Sequence, residues 1–109
     1  MSYGGQNKFL QSLQAFKGGL SYSLNDPIIN YQIGIIYKEL EIYDLAIDSF
    51  NQYLINNDND YIAYYLIGDC YSNLNVYDIA LEYYNKSYKL NNSHTKSLYS
   101  IGSCYLKLD

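Results

Sequence analysis

Between Pro27 and Leu40 the apolar residues fall at Ile29, Ile33, Ile36, Tyr37 and Leu40, the spacing of one buried face of an α-helix. Asp26 before Pro27 is a start signal, because proline tolerates the first helical turn and an aspartate accepts free backbone amides there. A second set, Tyr43, Ala46, Ile47, Phe50, Tyr53 and Leu54, predicts another helix with one apolar face. Asp44 falls in its first turn, where the helix dipole favours negative charge. The polar run "NNDND", residues 56–60, closes the pair as a turn.

The same pattern then returns. "IGIIY" at Ile33–Tyr37, "IGDCY" at Ile67–Tyr71 and "IGSCY" at Ile101–Tyr105 are each thirty-four residues apart. That offset also pairs Tyr31, Tyr65 and Tyr99; Leu40, Leu74 and Leu108; Tyr43 and Tyr77; Asp44 and Asp78; Ala46 and Ala80; Phe50 and Tyr84. A period of this length describes a helix pair that cannot bury its own apolar face and stacks on its neighbours. The chain divides accordingly into an N-terminal segment, 1–26, two full repeats, 27–60 and 61–94, and a further first helix or terminal cap, 95–109. In the N-terminal segment Phe9 and Phe16 take the aromatic slots of a second helix, and Ser12 the small one.

Gly34, Gly68 and Gly102 recur inside the first helices, although glycine costs about 1 kcal/mol relative to alanine there. The expected compensation is a close crossing of the two backbones, with Ala46 and Ala80 as matching small residues. The second repeat is expected to set Tyr64, Ile67, Tyr71 and Leu74 against Tyr77, Ala80, Leu81, Tyr84 and Tyr88.

Charge narrows the partners. Eleven acidic residues against seven basic ones give a net charge of −4, and every basic residue is lysine, which argues against a nucleic-acid backbone. Without that balance, sixteen tyrosines would invite a base-stacking reading. No apolar run approaches the length of a membrane span, and the start "MSYGGQNKFL" lacks the features of a signal peptide. The expectation is a soluble, cytoplasmic chain of one domain, in which the sequons at Asn85 and Asn91 carry no sugar. Cys70 and Cys104 occupy one slot of successive repeats, about a helix diameter apart. That separation is too wide for a disulfide, so both are expected as buried thiols.

The residues Ile33-Gly34 with Tyr37, Tyr43, Ala46 and Phe50, and again Ile67-Gly68 with Tyr71, Tyr77, Ala80 and Tyr84, resemble the tetratricopeptide repeat. The resemblance covers Pro27 to His94 and continues in phase through Leu98, Ile101, Gly102 and Tyr105. It departs from the family where a large first-helix residue is usual, here Asn30, Tyr64 and Leu98, and where proline closes a repeat, here Asp58 and Asn92. Tyr53 stands where the family prefers alanine, and a local distortion is expected around it.

The resemblance implies an all-α, right-handed α-solenoid of antiparallel helix pairs, and a concave groove lined by first helices that receives a peptide or helical segment of a partner protein. Carried over slot by slot, that groove presents Ile28, Tyr31, Gln32, Ile35 and Lys38 from the first repeat. Ile62, Tyr65, Leu66, Asp69 and Ser72 follow from the second, then Lys96, Tyr99, Ser100 and Ser103. An equally open alternative has Tyr31, Tyr65 and Tyr99 packing between helices. One subgroup of the family grips the acidic tail of heat-shock chaperones with lysines and asparagines. Its slots here hold Tyr31, Ile35, Leu66, Lys96 and Ser100, of which only Lys96 fits, so that ligand is not expected.

Catalysis has no motif behind it. His94 stands in "LNNSHT" with no nucleophile pattern nearby and reads as a solvated loop residue. Cys70, Cys104 and His94 lack metal-finger spacing, and Asp58 and Asp60 lack the glycine and glutamate of a calcium loop. No enzyme activity, cofactor or metal is expected. The competing function is a structural element that self-associates through its open ends. Leu98, Tyr105 and Leu108 would lack cover there, and the segment with Phe9, Leu13 and Phe16 would be a candidate to supply it. Lys17–Leu20, "KGGL", would serve as a hinge or simply end that segment.

Overall fold

The computed structural model describes residues 27–108, which form five α-helices and, among them, no strand. They divide into two compact units meeting in sequence at Asn56 and Asn57. The first unit holds α1 (Pro27–Glu39) and α2 (Tyr43–Leu54). The second holds α3 (Tyr61–Asn73), α4 (Tyr77–Leu90) and α5 (Thr95–Leu108). Asp26, Phe9, Leu13, Phe16 and the "KGGL" stretch lie outside the described residues.

In the first unit α1 packs on α2 through the expected faces. Ile33, Ile36 and Tyr37 meet Ala46, Ile47, Phe50 and Leu54 in the buried core. The turn between the helices is a Schellman motif, with Glu41 N–H donating to the Lys38 carbonyl and Ile42 N–H to that of Tyr37. It places Glu41 at φ 62°, a left-handed conformation that a glutamate adopts at a cost. Asn75 repeats the conformation at φ 65° between α3 and α4, where asparagine is better suited. Asp44 and Asp78 occupy the first turns of α2 and α4 as the charge pattern requires.

The second unit pairs α3 with α4 and α4 with α5. Asp60 caps α3, its Oδ1 accepting from the amides of Ile62 at 3.0 Å and Ala63 at 3.3 Å. One cluster of its core is Ala80, Tyr84 and Cys104, with Tyr65, Tyr71, Tyr77, Leu81 and Ile101 packed around it. Cys70 and Cys104 are both buried, and no disulfide joins them. Burial, and after it the charge of Asp69, raises the Cys104 thiol above its usual pKa.

Two expectations are corrected here. The glycines do not mark a backbone crossing against alanine. A side chain at Gly34 would meet the Phe50 ring at 2.7 Å, and one at Gly68 the Tyr84 ring at 2.8 Å, so each glycine is a seat for an aromatic ring of the following helix. Gly102, the third of the series, has nothing within 4 Å of that position. Leu74 is exposed, because it ends α3 at the Schellman turn and points past the core. At Tyr53, whose ring takes an edge-on contact with Tyr31 at 5.0 Å, α2 is still helical but ends at Leu54, two residues sooner than α4 does by the thirty-four-residue offset.

Candidate functional site

The loop "LNNSHT" delivers His94 onto α5 through the carbonyl of His94, which accepts from the amides of Ser97 and Leu98. Its ring is half-buried, edge-on to Tyr61 at 5.1 Å and to Tyr65 at 5.0 Å, so the solvated-loop reading of His94 is overturned. Hydroxyl groups explain the burial. Ser87 Oγ donates to the Tyr61 carbonyl at 2.8 Å and lies 2.9 Å from Ser97 Oγ, which lies 2.6 Å from His94 Nδ1. A hydroxyl carries one proton; with that of Ser87 committed to Tyr61, Ser97 donates to Ser87 and accepts from a protonated Nδ1 of His94. Both serines are fully buried, and this relay ties α3, α4 and the start of α5 together.

The same packing positions Tyr65. Its ring lies 5.6 Å from that of Tyr84. Burial, then the negative charge of Asp69, lifts the Tyr65 phenol above its usual pKa against the opposing effect of Ser100. Asp69 itself accepts the Tyr84 hydroxyl at 2.5 Å, a charge-assisted bond. Tyr84 is pushed further up than Tyr65, by burial first and then by the hydrogen bond and charge of Asp69.

Next to Tyr65 lies an open depression of about 660 Å³, also lined by Thr95, Lys96, Leu98, Tyr99 and Ser100. Tyr99 is 78% exposed, and Lys96 is the cation on its rim. Of the sequence-selected residues the second unit therefore gathers Tyr65, Lys96, Tyr99 and Ser100 around one space, while half-buried Leu66 and Asp69 lie outside its lining. In the first unit Ile28 and Gln32 are exposed and Ile35 and Lys38 half-buried. Tyr31 turns its ring edge-on to Phe50 at 5.7 Å and to Tyr53. Tyrosines at one slot thus differ in use, Tyr31 and Tyr65 packing on their own units and Tyr99 standing free of the core. The Ser87–Ser97–His94 relay was missed in the sequence, and its signal was a pair of serines at slots otherwise held by apolar residues or tyrosine.

Among the described residues no cluster of three or more His, Cys, Asp or Glu side chains is placed to hold a metal ion, and no helix is long and apolar enough to cross a membrane.

Residues 61–94 match the tetratricopeptide repeat family. No curated protein matches the chain. Among solved structures, MamA is similar at 19% identity and a TM-score of 0.86, over 95% of this chain and 61% of that one. MamA from Desulfovibrio magneticus RS-1, residues 41 to the end, gives 20% identity and a TM-score of 0.88 over 97% and 60%. The first tetratricopeptide domain of Spaghetti (RPAP3), solved with an HSP90 peptide, gives 17% and 0.85 over 98% and 85%. The chain spans about three-fifths of the MamA chains that it matches. Residues 61–94 are a tetratricopeptide repeat, and the likeness to these structures shows the fold around them to be all-α and tetratricopeptide-like.

Proposed function

We propose that this protein is a non-enzymatic interaction module that binds an extended peptide or helical segment of a partner protein on the exposed faces of its first helices. The observation that carries the reading is the depression beside Tyr65, where exposed Tyr99 and Leu98 offer apolar contact and Lys96 and Ser100 offer polar anchors. Exposed aromatic residues beside a cation are the side chains that dominate peptide recognition. The first unit presents Ile28, Tyr31, Gln32, Ile35 and Lys38 at the corresponding repeat slots. The tetratricopeptide repeat match and the peptide-bound neighbour support a protein partner in general. An acidic chaperone tail is not the proposed ligand, because Tyr31, Ile35, Leu66 and Ser100 stand where its clamp needs charged or amide groups.

Peptides selected from a random library against the chain test this. Tyr99→Ala should weaken the selected peptides about tenfold or more with the melting midpoint unchanged, whereas Glu82→Ala on the exposed side of α4 should not. Tyr65→Ala is a poorer probe, since Tyr65 also packs on Tyr84 and His94. Selected peptides that tolerate Tyr99→Ala and lose affinity with Glu82→Ala would place binding elsewhere.

A further inference from the structure

The outward face of α4 carries four charged residues in one line. Asp78, Glu82, Lys86 and Lys89 follow one another by four, four and three positions, which sets them on a single stripe of the helix, and all four are exposed. The stripe is divided by sign, with both acids in the N-terminal half and both lysines in the C-terminal half. The corresponding slots of α2 hold Asp44, Asp48, Gln52 and Ile55, so the repeat itself does not require the division. The spacing of Glu82 and Lys86 suits an ion pair within the helix. The Lys86 ammonium instead stands over the rings of Tyr64, at 5.6 Å, and Tyr83, at 5.1 Å, and among the described residues neither Glu82 nor Lys86 is in an ion pair. Those two rings are themselves stacked, a platform that holds the lysine stem and leaves its charge outward.

Two negative charges followed by two positive ones are complementary to a second copy of the same helix laid antiparallel. With Glu82 facing the partner's Lys86, Asp78 falls opposite the partner's Lys89. The midpoints of these two pairs lie half a residue apart along α4, under about 1 Å at a helical rise of about 1.5 Å. One two-fold axis at the level of Tyr84 therefore serves both pairs and their two symmetry mates. Space flanks the lysine half on both sides, a depression of about 190 Å³ between Tyr64 and Leu90 and another of about 460 Å³ beside Tyr88 and Asn92. The same register carries the partner's Leu74, exposed at the turn before α4, to the end of the helix where the larger depression opens. We infer that two copies of this chain associate through α4, antiparallel about a two-fold axis, with Asp78 and Glu82 of each meeting the partner's Lys89 and Lys86. The contact is isologous, so it closes at a dimer. One helix from each copy makes a small interface, weak and sensitive to salt. It uses none of the residues around the depression beside Tyr65, and it stands apart from the peptide-binding reading.

Sedimentation equilibrium of the 109-residue chain over a concentration series, at about 0.05 M and about 0.5 M salt, tests the inference. The wild-type chain should pass from monomer to dimer and no further, with a lower association constant at the higher salt. Glu82→Lys and Lys86→Glu each set like charges opposite one another, and each should lower the association constant about tenfold or more with helix content unchanged. Mixed, the two variants should form a heterodimer, because together they restore opposite charges at every pair. Lys89→Glu leaves the ring contacts of Lys86 in place and sets like charge against the partner's Asp78, so it keeps the test open should Lys86→Glu lose helix content. Lys107→Glu on α5 makes the same change in net charge away from the stripe and should leave the dimer intact. A wild-type chain that stays monomeric throughout, or one that grows past a dimer, would overturn the inference. So would association that Glu82→Lys leaves unchanged, an equal loss with Lys107→Glu, or two folded variants that fail to pair.

Discussion

The α1/α2 hairpin and the α3/α4 hairpin are one design carried out with different chemistry. Both seat an aromatic ring on a glycine, but in the first the ring is Phe50 and in the second Tyr84. The extra hydroxyl needs a partner, and the residue that supplies it is Asp69, at the slot where the first hairpin has Ile35. Phenylalanine goes with isoleucine and tyrosine with aspartate. The repeat thus preserves satisfied pairs and not single residues. The turns differ likewise, with Glu41 forced into the conformation that Asn75 takes readily.

The largest effect should come from removing the ring. Phe50→Ala empties a fully buried site and should cost about 3–5 kcal/mol. Chemical denaturation followed by circular dichroism would measure it, and a loss below about 1 kcal/mol would show that the glycine seat is not a packing centre. Overfilling the seat comes next. Gly68→Leu drives a side chain into the Tyr84 ring and should cost about 1–3 kcal/mol, while Gly102→Ala meets nothing and should gain up to about 1 kcal/mol from helix propensity. Equal melting shifts for both would contradict the distinction between filled and open slots.

The paired chemistry can be tested by exchange. Tyr84→Phe removes a hydrogen bond to a carboxylate and should cost about 1.5–3 kcal/mol or less, given that Asp69 is half-buried and reaches water. Adding Asp69→Ile restores the chemistry of the first hairpin and should recover most of the loss, so the double-mutant cycle should show coupling. Additive losses would mean that the two residues act independently.

Alkaline pH separates the hairpins further. Tyr84 is held protonated above the ordinary phenol value of 10.0, by burial first and by Asp69 next. Below that pH both folded and unfolded chains keep the proton, and the contribution of Tyr84 is intact. As pH rises past it, the unfolded chain alone ionises, and stability is lost until the higher folded value is reached. Tyr65 and Tyr83 shift in the same direction. Denaturation above pH 10 should therefore steepen, and Tyr84→Phe should flatten it, whereas Phe50→Tyr in the first hairpin should add to it. The smallest expected effect is at the turn, where Glu41→Asn should stabilise the chain by roughly 0.5–1 kcal/mol by relieving left-handed strain. An unchanged midpoint would show that Glu41 bears its conformation without cost.

Among the described residues, the five helices and the exposure of α5 were legible from apolar spacing and a fixed period. Those signals are local or repetitive, and a helix declares its buried face by which residues recur every three or four positions. The site was legible only in part. Tyr31, Tyr65 and Tyr99 share a slot, but nothing in the slot distinguishes a ring that packs on Phe50 or on His94 from one that faces water. His94 reads as a loop residue in the sequence because its partners stand on two other elements, Tyr61 and Tyr65 on α3 and Ser97 on α5.

The sequence by itself determined the helix-pair repeat, the slots of its core and the recurrence of glycine at one of them. The tertiary structure alone decided what each glycine is for, because the answer depends on the ring that arrives from another helix. It likewise decided that the proton of Ser97 goes to Ser87 and that the hydroxyl of Tyr84 finds Asp69. Hydrogen bonds have a reach of about 3 Å, and only folding brings residues ten or fifteen positions apart within it.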